Sequence, residues 1–203
     1  MRNQSFMISF AWLLWSVFAW TGLANAEPVS TSSYSKISAD GKNLAVTATV
    51  GGKPSDWACT RDEATSLVWE IKSATGIRGK DVGFVWQSPN QPDGNQPIAA
   101  DCESSGRCDL ASYVRAINAS GLCGFKDWRV PTVAELEGLI DRRKINPSIN
   151  RDYFPNTVPT LFWTSTPDAQ QTDLAKVVNF YYGNSYSIKH ANPLRVRLVR
   201  GGS

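Results

Sequence analysis

Histidine is nearly missing from this chain: His190 is the only one among 203 residues. A metal site or a nucleophile–histidine–acid relay would have to be built around that single imidazole. Cysteine is scarce as well. The only four are Cys59, Cys102, Cys108 and Cys123, and none forms a C-x-x-C pair, which weighs against a metal centre. No serine lies in a Gly-x-Ser-x-Gly elbow. Excess charge is missing too, since 21 Lys and Arg stand against 18 Asp and Glu. That balance is too even to steer the chain toward nucleic acid over long range. We therefore expect no metal, no cofactor, no nucleic-acid partner and no catalysis.

A long apolar run occurs only at the N-terminus. Ile8–Leu23 is apolar apart from Ser9, Ser16, Thr21 and Gly22, behind Arg2 and ahead of Ala24-Asn25-Ala26. Positive start, apolar middle and small-x-small end read as a secretory signal peptide over residues 1–26. The run is short for a membrane span and lacks a basic stop-transfer flank. We expect cleavage after Ala26 and no transmembrane span in the mature chain. The protein is then exported: periplasmic, outer-membrane associated or secreted. Cleavage leaves 177 residues (203 minus 26) with 20 basic and 18 acidic side chains, a net +2. Residues 27–33 read as a polar, flexible leader and 34–203 as one domain.

An even cysteine count in an exported chain predicts two disulfides. Asp109–Ser120 reads as a helix, with Asp109 as N-cap, an apolar face at Leu110, Tyr113, Val114 and Ile117, and Gly121 as terminator. Cys108 and Cys123 flank it, and at about 1.5 Å of rise per residue they fall outside the ~7 Å reach of a bridge. Cys59–Cys123 with Cys102–Cys108 is preferred, and Cys59–Cys108 with Cys102–Cys123 stays open. A second helix is expected over Val133–Asp141, started by a Thr132/Glu135 capping box and followed by the basic run Arg142-Arg143-Lys144. We read that run as a solvated helix end.

Strands are expected at Lys36–Ser38, Leu44–Val50, Leu67–Ile71 and Val82–Trp86, then again at Leu161–Ser165, Lys176–Tyr182, Ser185–Lys189 and Leu194–Arg200. Two helices enclosed by early and late strands give an α+β fold with mainly antiparallel strands. Gln87–Ser105 reads as a long loop. Within it Gln91-Pro92-Asp93 matches the calcium tripeptide of galactose-type lectins. It precedes both helices, however, and has the composition of a turn.

Four stretches carry a resemblance: "WACTRDEATSLVWEIKS" (Trp57–Ser73), "GRCDLASYVRAINASGLCGFKDWRVPTVAELEGLID" (Gly106–Asp141), "FWTSTP" (Phe162–Pro167) and "VVNFYYGNSYSIKHANPLRVRLVRGG" (Val177–Gly202). Their order and spacing resemble the bacterial exported domains typified by the C-terminal domain of the Legionella collagen-like adhesin. The resemblance implies a C-type-lectin-like single domain, distantly related to formylglycine-generating (sulfatase-modifying) enzymes. It also implies a module that binds sulfated or other anionic polysaccharide. Two departures stand out. Ser66 replaces the family's usual Gly, and Arg195 replaces an apolar or aromatic residue.

The ingredients of glycan binding are aromatic faces and cations, and they gather in the last quarter of the chain. We take Tyr182, Tyr186, Lys189, Arg195 and Arg197 as candidate ligand residues. Alternation places Arg195 and Arg197 on one face of a strand, as a clamp for sulfate or carboxylate. A packing role competes for each of them, and it leads for Arg197 and Arg200. Trp57, Trp69, Trp86, Trp128 and Trp163 are expected in the core. The expected partner is a polysaccharide or glycan, and a homo-oligomer is compatible with the sequence. The alternatives are a structural or protein-interaction module of an envelope assembly, and a cryptic enzyme centred on His190. The reactive cysteine pair of the formylglycine-generating enzymes lies late in their chains, whereas every cysteine here precedes Gly124.

Overall fold

The structure, a computed structural model, describes residues 33–86 and 108–202. The fold is α+β, with two α-helices and mainly antiparallel sheets among the described residues. The first sheet has five strands in the order β10-β4-β3-β1-β2. These are β1 (Tyr34–Ser38), β2 (Asn43–Leu44), β3 (Trp57–Asp62), β4 (Val68–Glu70) and β10 (Val199–Arg200). The chain's last strand thus pairs with an early one, Val199 facing Trp69. A short parallel pair joins β5 (Phe84–Val85) to β6 (Cys108–Asp109). An antiparallel meander, β7 (Leu161–Pro167), β8 (Leu174–Asn179) and β9 (Asn184–Lys189), makes the third sheet.

Helix α1 (Leu110–Ser120) begins at Asp109, whose carboxylate accepts from Ser112 N at 2.7 Å, and ends at Gly121 with φ 65°. Leu110, Tyr113 and Ile117 face the core, as their spacing predicts. Helix α2 (Val133–Glu137) carries the expected capping box, but it ends four residues before Asp141. After Gly138 the backbone tightens: Leu139 N bonds Leu136 O, Ile140 N bonds Glu137 O, and Ile140 pairs with Ile149. Leu136 and Leu139 stay buried, so the apolar face is kept while the helical ladder is not.

Two strands differ from expectation. Leu44–Val50 contributes only its first residue to β2, because Ala48 N turns back to Ala45 O and Val46 is left 58% exposed with no facing surface. Leu194–Arg200 is a strand only at its end. Earlier, each residue bonds a different neighbour: Leu194 N reaches Phe84 O, Arg195 N Leu161 O, and Leu198 N the Glu70 carboxylate. It is a seam that ties the sheets together. β3, which no alternation in "WACTRD" signals, lies at the centre of the five-stranded sheet.

All five named tryptophans are buried, between 0% and 5% exposed. Four donate their indole N–H to a backbone carbonyl, Trp163 to Phe84 O and Trp86 to Thr164 O at 2.7 Å each. Cys59 of β3 is bonded to Cys123, just beyond α1, with Cα atoms 6.4 Å apart. This is the first bridge of the preferred pairing. The Cys102–Cys108 bridge lies outside the described residues, as do the signal peptide, the leader up to residue 32 and Gln91-Pro92-Asp93. Among the described residues no helix is long and apolar enough to cross a membrane.

Candidate functional site

The β8–β9 turn projects two tyrosines. Asn179 shapes it: its carbonyl accepts from Gly183 N at 2.8 Å and its side-chain oxygen from Tyr181 N at 2.8 Å. Gly183 has φ 72°, and a Cβ there would meet Ile140 Cγ2 at 2.8 Å, so only glycine fits. The rings of Tyr181 and Tyr182 stack edge-on with centroids 4.4 Å apart, and Tyr182 is 70% exposed.

The loop after α2 packs beside this turn. Asn146 N donates to Tyr181 O at 3.1 Å, and Ser148 N and Oγ both donate to Phe180 O. The basic run read as a solvated helix end is thereby held next to the aromatic pair. Arg143 is clamped bidentately on Asp141, at 2.9 and 3.1 Å, and Lys144 Nζ stands 3.9 Å from the same carboxylate. The Arg143 guanidinium beside Asp141 holds its carboxyl below the ordinary value. Arg142 is exposed and pairs with none of the described residues. Ile145, 71% exposed, completes the corner. Nothing local in the sequence announces this pairing, because Asn146 and Tyr181 lie far apart in the chain.

The other candidates do not converge on one point. Tyr186 faces Val177 and Lys189 faces Leu174 across β9, an odd spacing that sets the two side chains on opposite faces of the sheet. Lys189 is exposed. Arg195 pairs with Phe162 on the far side of β7. With β8 in between, its backbone stands three strand spacings, roughly 14 Å, from β9. It is half-buried, and with Lys80 it helps to hold the Asp81 carboxyl below its usual range.

Arg197 is not on the surface at all. It is fully buried, its guanidinium donating to Glu70 O at 2.5 Å and Thr157 Oγ1 at 2.7 Å, and stacked 5.3 Å from the Phe154 ring. The expected two-arginine clamp therefore does not form, because the seam aims Arg197 inward. Arg197 belongs instead to a buried ionic centre. The Glu70 carboxylate accepts from Lys72 Nζ at 3.0 Å, from the Tyr113 hydroxyl and from Leu198 N at 3.0 Å, with Arg78 Nε 3.7 Å away. Burial pushes Glu70 up, but Lys72, Arg78 and the two hydrogen bonds outweigh it and hold the carboxyl below its ordinary value. Burial pulls Lys72 down to about 8 and Arg197 to about 10, against the opposing pull of Glu70.

Arg200 pairs with Asp127 at 2.7 Å. His190 stacks on Trp86 with ring centroids 4.0 Å apart. Neither the curated proteins nor the solved structures compared with the chain give a match. The family model described as the Lcl C-terminal domain matches residues 58–200, well over half the chain, and the protein belongs to that family.

Proposed function

We propose that the protein is an exported, non-catalytic binding module for anionic or sulfated polysaccharide at the bacterial envelope or surface, on a C-type-lectin-like architecture. The observation that carries this reading is the exposed Tyr181–Tyr182 pair beside the loop holding Arg142, Arg143 and Lys144. Aromatic faces pack against sugar C–H groups, and cations meet sulfate or carboxylate. Tyr186 and Lys189 extend the surface along β9, while Arg195 serves a polymer long enough to pass the sheet. Membership of the Lcl C-terminal domain family supports the same class. His190, stacked on Trp86, is read as a packing group and not as a base.

A column series of heparin, dextran sulfate and a neutral glycan, eluted with rising salt, tests this. Retention on the sulfated polymers should fall linearly in log–log form with salt, as cation–polyanion contacts do. The Arg142→Ala/Lys189→Ala double variant should elute earlier. Equal retention on the neutral glycan, or no retention, would defeat the reading. A role in protein interaction is favoured by Ile145, which gives nothing to a sulfated sugar and suits a partner's apolar side chain. Self-association or pulldown of a partner without glycan retention would favour it.

A further inference from the structure

A cleft of about 740 Å³ lies between residues 47–52, residues 73–75 and Asn156, with Lys36 and Trp57 in its wall. None of the residues assigned above to glycan contact lines it. Lys36, on β1, is only 8% exposed; its Nζ donates to Ala48 O at 2.8 Å and stands 3.9 Å from the Trp57 ring centroid. An ammonium has three N–H groups to place, and no carboxylate among the described residues pairs with this one. Burial lowers its pKa, with Asp152 pulling the other way. At the rim, Thr47, Thr49 and Thr75 carry hydroxyls that no described residue engages. Asn156 spends its amide N–H on Lys72 O at 2.9 Å, which leaves the amide oxygen as an acceptor.

We propose that this cleft is a second binding site, for a saccharide unit bearing a carboxylate (a uronic acid). Free hydroxyls and an amide oxygen match sugar hydroxyls. A single enclosed cation with no arginine beside it matches one carboxylate better than several sulfates, which call for arginine forks. The volume lies in the range of small-ligand sites and admits one or two pyranose rings. The inference rests on the glycan reading only for the class of ligand, since the site is separate from the β8–β9 surface.

The test is a backbone-amide NMR titration with galacturonate and, as neutral control, galactose. Galacturonate should shift residues 47–52 and 73–75, and galactose should not. Lys36→Met should abolish these shifts while heparin retention stays unchanged. Lys36 is buried, so Thr75→Asp at the exposed rim gives a second probe, expected to weaken galacturonate at least about tenfold by like-charge repulsion without touching the core. Equal shifts with galactose, shifts confined to residues 181–189, or none at all would overturn the proposal. If galacturonate gives no shift while heparin is still retained, the cleft fails and the glycan reading stands. Loss of both removes both.

Discussion

Two groups of cations can be set side by side in this molecule. In the core Lys72 and Arg78 stand on the Glu70 carboxylate and Arg197 on its main-chain oxygen, and at the surface Arg143 and Lys144 stand on the Asp141 carboxylate. Both gather more than one base on a single acidic residue. Inside, the partners are fixed by burial: Glu70, Tyr113, Thr157 and the Leu198 N–H hold one another, and burial shifts Lys72 and Arg197 downward. Outside, Arg143 is 89% exposed by side chain and water screens what Asp141 leaves over. The same composition is therefore architecture in one place and available charge in the other. Desolvation decides which.

The largest expected effects come from breaking the inner group. Removing one member of a buried pair strands its partner, at about 3–5 kcal/mol. Arg197→Ala and Glu70→Ala should each lower unfolding free energy by that amount in a denaturant titration. Arg143→Ala, the surface counterpart, should leave the unfolding free energy close to the wild-type value, because water screens the pair. Equal costs for Arg197→Ala and Arg143→Ala would erase the distinction.

Acidity sharpens the same contrast. Lys72 titrates near 8 in the fold and at 10.5 as an ordinary lysine. Between those values the unfolded chain binds more protons, so stability rises with pH as the buried ammonium is relieved of its charge. Tyr113, raised well above 10 by burial and then by Glu70, acts in the opposite sense at higher pH. The clean window is therefore pH 8 to 10, with a gain on the order of 2 kcal/mol at one pKa unit per 1.36 kcal/mol. Lys36, lowered by burial as well, adds in the same sense, so Lys72→Met should reduce the slope without abolishing it. A wild-type stability that is level or falling across the window would contradict the assignment. At the acid end Glu70 contributes stability that is present above 4.5 and lost as pH falls through its lowered value.

Ser66 shows what the sequence could tell and what it could not. The departure from a family glycine was visible as a letter, but its consequence was not. Ser66 joins β3 to β4 with φ 60°, a left-handed conformation that costs a side chain about 1 kcal/mol. Ser66→Gly should raise stability by roughly 0.5–1 kcal/mol in the same titration, and a loss would argue that the hydroxyl is needed. The caps of α1 and α2 and the apolar helix faces were legible because local chemistry fixes them, whereas helix geometry narrowed the cysteine pairings only to two, of which the structure shows the Cys59–Cys123 bridge of the preferred one. The central strand β3 was not legible, since buried Thr60 and half-buried Arg61 break any alternation. A packing role was favoured for Arg197, but its partners Glu70, Thr157 and Phe154 come from distant parts of the chain that no local pattern names. At the surface, the pairing of Asn146 with Tyr181 brings the basic loop to the tyrosines, and no periodicity records a contact of that sequence separation.

The smallest stability effect is expected where the functional effect is greatest. Tyr182 is 70% exposed and touches chiefly Tyr181, so Tyr182→Ala should move unfolding free energy by no more than about 0.5 kcal/mol. Retention on heparin should nevertheless drop, because the exposed ring face is lost. Tyr182→Phe keeps the face and should keep most of the retention. This pair separates stacking from hydrogen bonding, and it separates surface from core: a residue of the inner group cannot lose binding without losing the fold. Full retention in Tyr182→Ala, with the fold intact, would move the glycan surface away from the turn and leave the basic loop or β9 to carry it.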